Sequence, residues 1–101
     1  MQIEIEYKSI TESINILVQT EDNIFVCNGR NVSVPIFQFK EILLDIIFKW
    51  ENDMINPDIK DAESYKINIT TEEDSATFVG HGIYPDNFEE FRNLIMEVAN
   101  G

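Results

Sequence analysis

Cations are scarce in this chain. Seven Lys and Arg face 19 Asp and Glu over 101 residues, a net charge of −12. Such a surface repels phosphate backbones and anionic headgroups, which argues against direct contact with nucleic acid or an anionic membrane. Cysteine is scarcer still. Cys27 stands alone, so no disulfide can close within the chain, and the composition fits a reducing, cytoplasmic setting. With His81 the only histidine, a structural zinc centre cannot be assembled either. Asp58, Asp61 and Glu63 lack the glycine turn and ligand spacing of a calcium loop. No metal or cofactor is therefore expected. Residues 1–10 alternate apolar and charged side chains, without the basic start and apolar core of a secretory leader. The strongest apolar run, residues 42–48, is broken by Asp45 and is far too short to cross a bilayer.

Catalytic signatures are missing as well. A nucleophile needs a base in reach, and that base needs an orienting partner. Cys27 lies beside Asn28 and His81 lies between Gly80 and Gly82, with no companion motif around either. A lone Cys is most often a small buried apolar residue. No residue is assigned a catalytic role.

What the chain does have is apolar material. Hydrophobic residues make up 44%, with eleven aromatics among them, enough for one core in a single domain spanning residues 1–101. The richest window is 35–51, PIFQFKEILLDIIFKWE. At 100° per residue, Ile36, Phe39, Ile42, Leu43, Ile46, Ile47 and Trp50 share one stripe, while Gln38, Glu41, Asp45 and Lys49 oppose it. Pro35 suits a helix start. Phe37, Leu44 and Phe48 form a second apolar shoulder, wider than one buried face requires. That shoulder has two readings: a second neighbour within the fold, or contact with another chain, a homodimer included.

Elsewhere the periods are those of strands and one further helix. Ile3, Ile5 and Tyr7 alternate with Glu4, Glu6 and Lys8, the pattern of a strand with one wet face. Residues 14–18 read as a second strand. Residues 24–27 and 30–34 flank Asn28-Gly29, a strong hairpin signal because both turn positions need positive φ. Residues 52–63 read as a loop, 65–70 and 76–80 as two more strands. Residues 86–99 read as a helix, with Asp86 and Glu89 spaced as a capping box and Phe88, Phe91, Leu94, Ile95 and Val98 on one stripe. The order ββββαββα predicts an α+β fold: an antiparallel sheet of five or six strands with two helices on one face.

Charge then points to a class of partner. Between Glu51 and Asp74, eight acidic residues stand against Lys60 and Lys66, which places half of the net charge in 24 residues. Asp53, Asp58, Asp61, Glu63, Glu72, Glu73 and Asp74 are the candidate contact residues for a basic protein. A small acidic domain without catalytic groups suits a protein-binding module. The fullest version of that expectation is an immunity protein that plugs the basic cleft of a nuclease toxin, where opposite charge speeds encounter. The alternatives are a phage- or plasmid-type regulator that mimics nucleic acid, and an enzyme subunit that uses His81 or Cys27 with a partner.

Overall fold

Alternation in the first strand sets the two faces of the molecule. The computed structural model describes residues 1–101. In β1 (Gln2–Lys8), Ile3, Ile5 and Tyr7 are buried while Glu4, Glu6 and Lys8 are exposed. β1 lies at the centre of a seven-stranded sheet with the order β4-β3-β2-β1-β6-β7-β5. The other strands are β2 (Ser13–Gln19), β3 (Ile24–Cys27), β4 (Arg30–Asn31), β5 (Asp53–Ile55), β6 (Ser64–Thr70) and β7 (Ser75–His81). α1 (Ile36–Ile47) and α2 (Phe88–Asn100) cover the face that Ile3, Ile5 and Tyr7 point to. Phe39, Leu43 and Ile47 of α1 and Phe88, Phe91, Ile95 and Val98 of α2 join the sheet residues in one core cluster. No polar or charged side chain is buried. Neither helix is long and apolar enough to cross a membrane.

The α+β class and the helix-covered sheet agree with the sequence pattern. The strand count, the chain order and the purely antiparallel pairing do not. The sheet has seven strands in the chain order ββββαβββα, and one pair, β5 with β7, is parallel. β5 falls within the stretch expected to be loop. Three residues show no period of their own, and their pairing comes from a distant strand. Val79 N–H donates to the Asn52 carbonyl at 2.9 Å, Asn56 N–H to the His81 carbonyl at 2.8 Å, and Asn52 Nδ2 to the Thr77 carbonyl at 2.8 Å.

Turn chemistry was more legible. Asn28 and Gly29 both take positive φ, 51° and 82°, and close the β3–β4 hairpin as the dipeptide demands. β4 stops at Asn31, short of the expected Val34, because its ladder with β3 reaches only Val26↔Asn31 and Cys27↔Arg30.

Both helices have different ends from those the pattern gives. α1 stops at Ile47 instead of near Glu51, and Trp50 N–H bonds the Ile47 carbonyl at 3.0 Å. The indole turns into the core, 8% exposed, and its Nε1–H donates to the Asp86 carbonyl at 2.9 Å. Asp86 does not cap α2 as the pattern predicts. The capping position belongs to Asn87, in the left-handed region at φ 68°, with no side-chain cap. Glu89 and Glu90 still favour the positive end of the helix.

Gly80 shows how closely this region is packed. It pairs with Tyr65 across β6–β7, and a Cβ there would lie 2.2 Å from the Tyr65 ring. Tyr65 in turn packs against Trp50, with centroids 5.2 Å apart. A glycine inside a strand commonly marks such a close approach. Gly80→Ala is therefore expected to cost about 1–3 kcal/mol by overpacking. Leu43→Ala, at a fully buried position, is expected to cost about 2–5 kcal/mol. Denaturant unfolding of each variant measures both, and a Leu43→Ala loss below 1 kcal/mol, roughly a minor surface effect, would contradict this packing.

Candidate functional site: the outer face of α1

Strand pairing decides which of the acidic residues can act together. Glu63 precedes β6 and the turn Glu72, Glu73, Asp74 follows it, so the length of β6 separates them, about 20 Å at the usual rise per residue. Asp58 and Asp61 lie in the loop after β5, at the Glu63 end. Asp53 lies on the outermost strand. The seven residues thus divide between two ends and one edge of the sheet. At the far end the structure joins Glu72 to Glu21 and Asp22, which border the same hollow. The sequence pattern gave no hint of that grouping, because Gln19 and Thr70 meet only by flanking Gln2. The N-terminal amine pairs with Glu21 there and holds its carboxyl down at about 2.

Glu63 has a structural task. Its carboxylate accepts from Arg92 Nε at 2.7 Å and Nη2 at 2.6 Å, and from the Tyr7 hydroxyl. The guanidinium also lies over the Phe88 ring, 5.3 Å from its centroid. Glu63 thereby fastens the loop before β6 to α2 and β1. The Arg92 contacts hold its carboxyl below the ordinary value, against the opposing effect of burial. Burial first, and then the Glu63 carboxylate, push the Tyr7 hydroxyl up to about 12.

Cys27 and His81 do not meet. Cys27 is on β3 and His81 on β7, with β2, β1 and β6 between them, about 19 Å at the usual strand spacing. Cys27 is buried, and burial raises its thiol pKa, which disfavours the nucleophilic thiolate. His81 Nε2 lies 2.6 Å from the Ile59 carbonyl and ties down the loop after β5.

Two of the three most exposed large apolar side chains lie on the outer face of α1 and at its end. Phe37 is 65% exposed and Phe48 81%. Leu44 lies between them, half-buried. Glu41 and Asp45 border the same face, and Lys40 Nζ lies 5.3 Å from the Phe37 centroid. Past Phe48 the face runs into an open groove of about 870 Å³ at the end of α1. Trp50, Met54 and Tyr84 form its apolar wall, and Asp45, Glu51 and Asp86 outnumber Lys49 among its charged residues, leaving an acidic rim. The negative pole of α1 points there, with no basic residue in the last turn. The shoulder was visible in the sequence, since Phe37, Leu44 and Phe48 share one side of the helix. The groove was not, because Tyr84, Pro85 and Asp86 come from the connection into α2. A smaller apolar group, Ile55, Ile59 and Ile83, follows β5 and β7 and is less exposed.

No family model matches the chain, and no curated protein or solved structure matches it either.

The Glu63 contacts generate a pH prediction. A carboxyl with a depressed folded-state pKa stabilises the fold in full above its unfolded value, here 4.5, and loses that contribution as pH falls through the folded value. Glu63→Gln should lower stability at pH 7 by about 1–2 kcal/mol, discounted because Arg92 is partly in solvent. It should also flatten the loss of stability below pH 4.5. Urea midpoints of both proteins at several pH values test this, and parallel curves would overturn it.

Proposed function

We propose that this chain is a non-enzymatic binding module for a basic protein, with the outer face of α1 as its contact surface. One observation carries the reading. Two phenylalanines, Phe37 in α1 and Phe48 at its C-cap, stand 65% and 81% exposed, in a domain whose charge of −12 favours cationic partners. Aromatic side chains beside a charged rim are the usual make-up of an interface hot spot. The acidic groove at the end of α1 adds a site for a cationic side chain next to Phe48. Asp45, Glu51 and Asp86 take the part that the sequence pattern gave to the Glu72, Glu73, Asp74 turn, because they adjoin the apolar face.

The specific form of the proposal is an immunity protein that occludes a nuclease toxin. A nuclease presents a basic cleft to its substrate, and an acidic plug with an apolar centre combines fast encounter with a slow release. A cytoplasmic site of action belongs to the same proposal.

Co-expression with the toxic product of an adjacent reading frame tests it. The chain should restore growth, and complex formation should weaken as ionic strength rises. Phe48→Ser should cost about 2 kcal/mol of affinity or more, as hot-spot truncations do. Reversing Asp45, Glu51 and Asp86 to Lys should cost more than reversing Glu72, Glu73 and Asp74. Equal losses by calorimetry would mean that the acidity acts only as a diffuse field, and undiminished binding by Phe48→Ser would remove α1 as the contact face.

A further inference from the structure

The spacing of the exposed residues on α1 says what shape of partner fits. Phe37, Glu41, Leu44 and Phe48 follow one another at intervals of four, three and four, the seam of one helix laid along another. Glu41, Leu44 and Phe48 line a single hollow on this face, with Lys40 and Asp45 at its flanks. The stripe is about 16 Å long at 1.5 Å per residue, three turns of a facing helix. A strand would need anchors at every second residue, and α1 does not offer them.

Glu41 then selects among helices. It occupies one of the four seam positions, where a carboxylate would be enclosed between apolar neighbours. Enclosure is costly for a charge unless an opposite charge meets it. A second copy of this chain brings Glu41 against Glu41 when the helices run parallel. Run antiparallel, it offers Leu44 and Phe48 opposite Glu41, while 12 net negative charges on each copy repel. The one cation a second copy brings to this face, Lys40, lies at the flank over its own Phe37 ring, so neither self-pairing puts a cation at a seam position. We infer that α1 docks an amphipathic helix of a different chain, with Lys or Arg at the seam position facing Glu41 and further cations reaching the groove rimmed by Asp45, Glu51 and Asp86. This rests on the binding-module reading and adds the secondary structure and charge register of the partner. A polar residue at one seam position fixes which helices pair and in what register, so Glu41 is the specificity-determining residue of this surface.

The test uses two synthetic peptides of about 18 residues, long enough to be helical. Both carry Leu at the seam. One has Lys at the central seam position, and the other has that Lys exchanged with a Glu from its outer face, so that net charge is the same. Neither contains Trp, so emission from Trp50, at the groove wall, reports occupancy beside calorimetry. The seam-Lys peptide should bind at least about tenfold more tightly, as close charge pairs at interfaces do. Glu41→Lys should reverse the preference, and Phe48→Ser, at an exposed position that the core does not need, should weaken both peptides. The triple reversal of Glu72, Glu73 and Asp74 to Lys should leave the preference unchanged. Equal affinity for the two peptides, or a preference that survives Glu41→Lys, would overturn the inference. Self-association abolished by Phe48→Ser would also overturn it, in favour of a second copy. Growth protection without peptide discrimination would remove this register and leave the binding-module reading standing, whereas discrimination without protection would keep the register and remove the immunity-protein form of that reading.

Discussion

The indole of Trp50 sits where three parts of the chain meet, beside the Tyr65–Phe88 and Tyr65–Phe91 contacts that also tie β6 to α2. Its ring lies 5.2 Å from Tyr65 of β6, 5.4 Å from Phe91 and 6.3 Å from Phe88 of α2, measured between centroids. Its N–H finds the Asp86 carbonyl. A buried indole without a hydrogen-bond partner would be costly, and this bond ties the end of α1 to the segment that leads into α2. The ring enters the core three residues after α1 ends at Ile47. It packs on Tyr65, whose place against Gly80 is set by the β6–β7 register.

The same constraint shapes the proposed binding face. Because α1 ends where Trp50 turns inward, Phe48 is left on the outside of the last turn, facing solvent. Asp86, held through its carbonyl, keeps its carboxylate on the rim of the groove. The apolar face and the acidic rim are adjacent because the core brings them together. A single-layer cover explains why the outer side of α1 is free. Both helices lie on one face of the sheet, and neither has a further element packed on top of it.

Charge in this protein has two kinds of work. Glu63 is spent within the fold, bidentate to Arg92 and bonded by Tyr7. The remaining acids are exposed, spread over the open face of β1, both helices, the groove, the loop after β5 and the far end of the sheet. Those at the groove and Glu41 stand beside the exposed aromatic rings of α1 and its end. A diffuse negative field steers a cation toward the whole molecule, and its effect fades over about 8–10 Å in salt. Local carboxylates next to apolar contacts decide where that cation stays.

The sequence by itself determined the elements whose signals are local. Period-two alternation marked β1 and put Ile3, Ile5 and Tyr7 on the core face. The 3.6-residue stripe marked both helices, and Asn28-Gly29 marked the hairpin through its need for positive φ. It also made the shoulder of Phe37, Leu44 and Phe48 visible, since helical geometry alone gathers them on one side. Tertiary structure decided the rest, for a physical reason in each case. β5 exists because β7 offers backbone partners, and three residues carry no period that announces it. α1 ends early because the Trp50 indole gains a core site and a carbonyl 36 residues away. Glu63 left the acidic surface for Arg92, 29 residues further along. The run of acids between Glu51 and Asp74 looked continuous along the chain, but an extended strand placed its two halves at opposite ends of the sheet. Side-chain period is written in the sequence, whereas partners distant along the chain become neighbours only through the packing that brings them together.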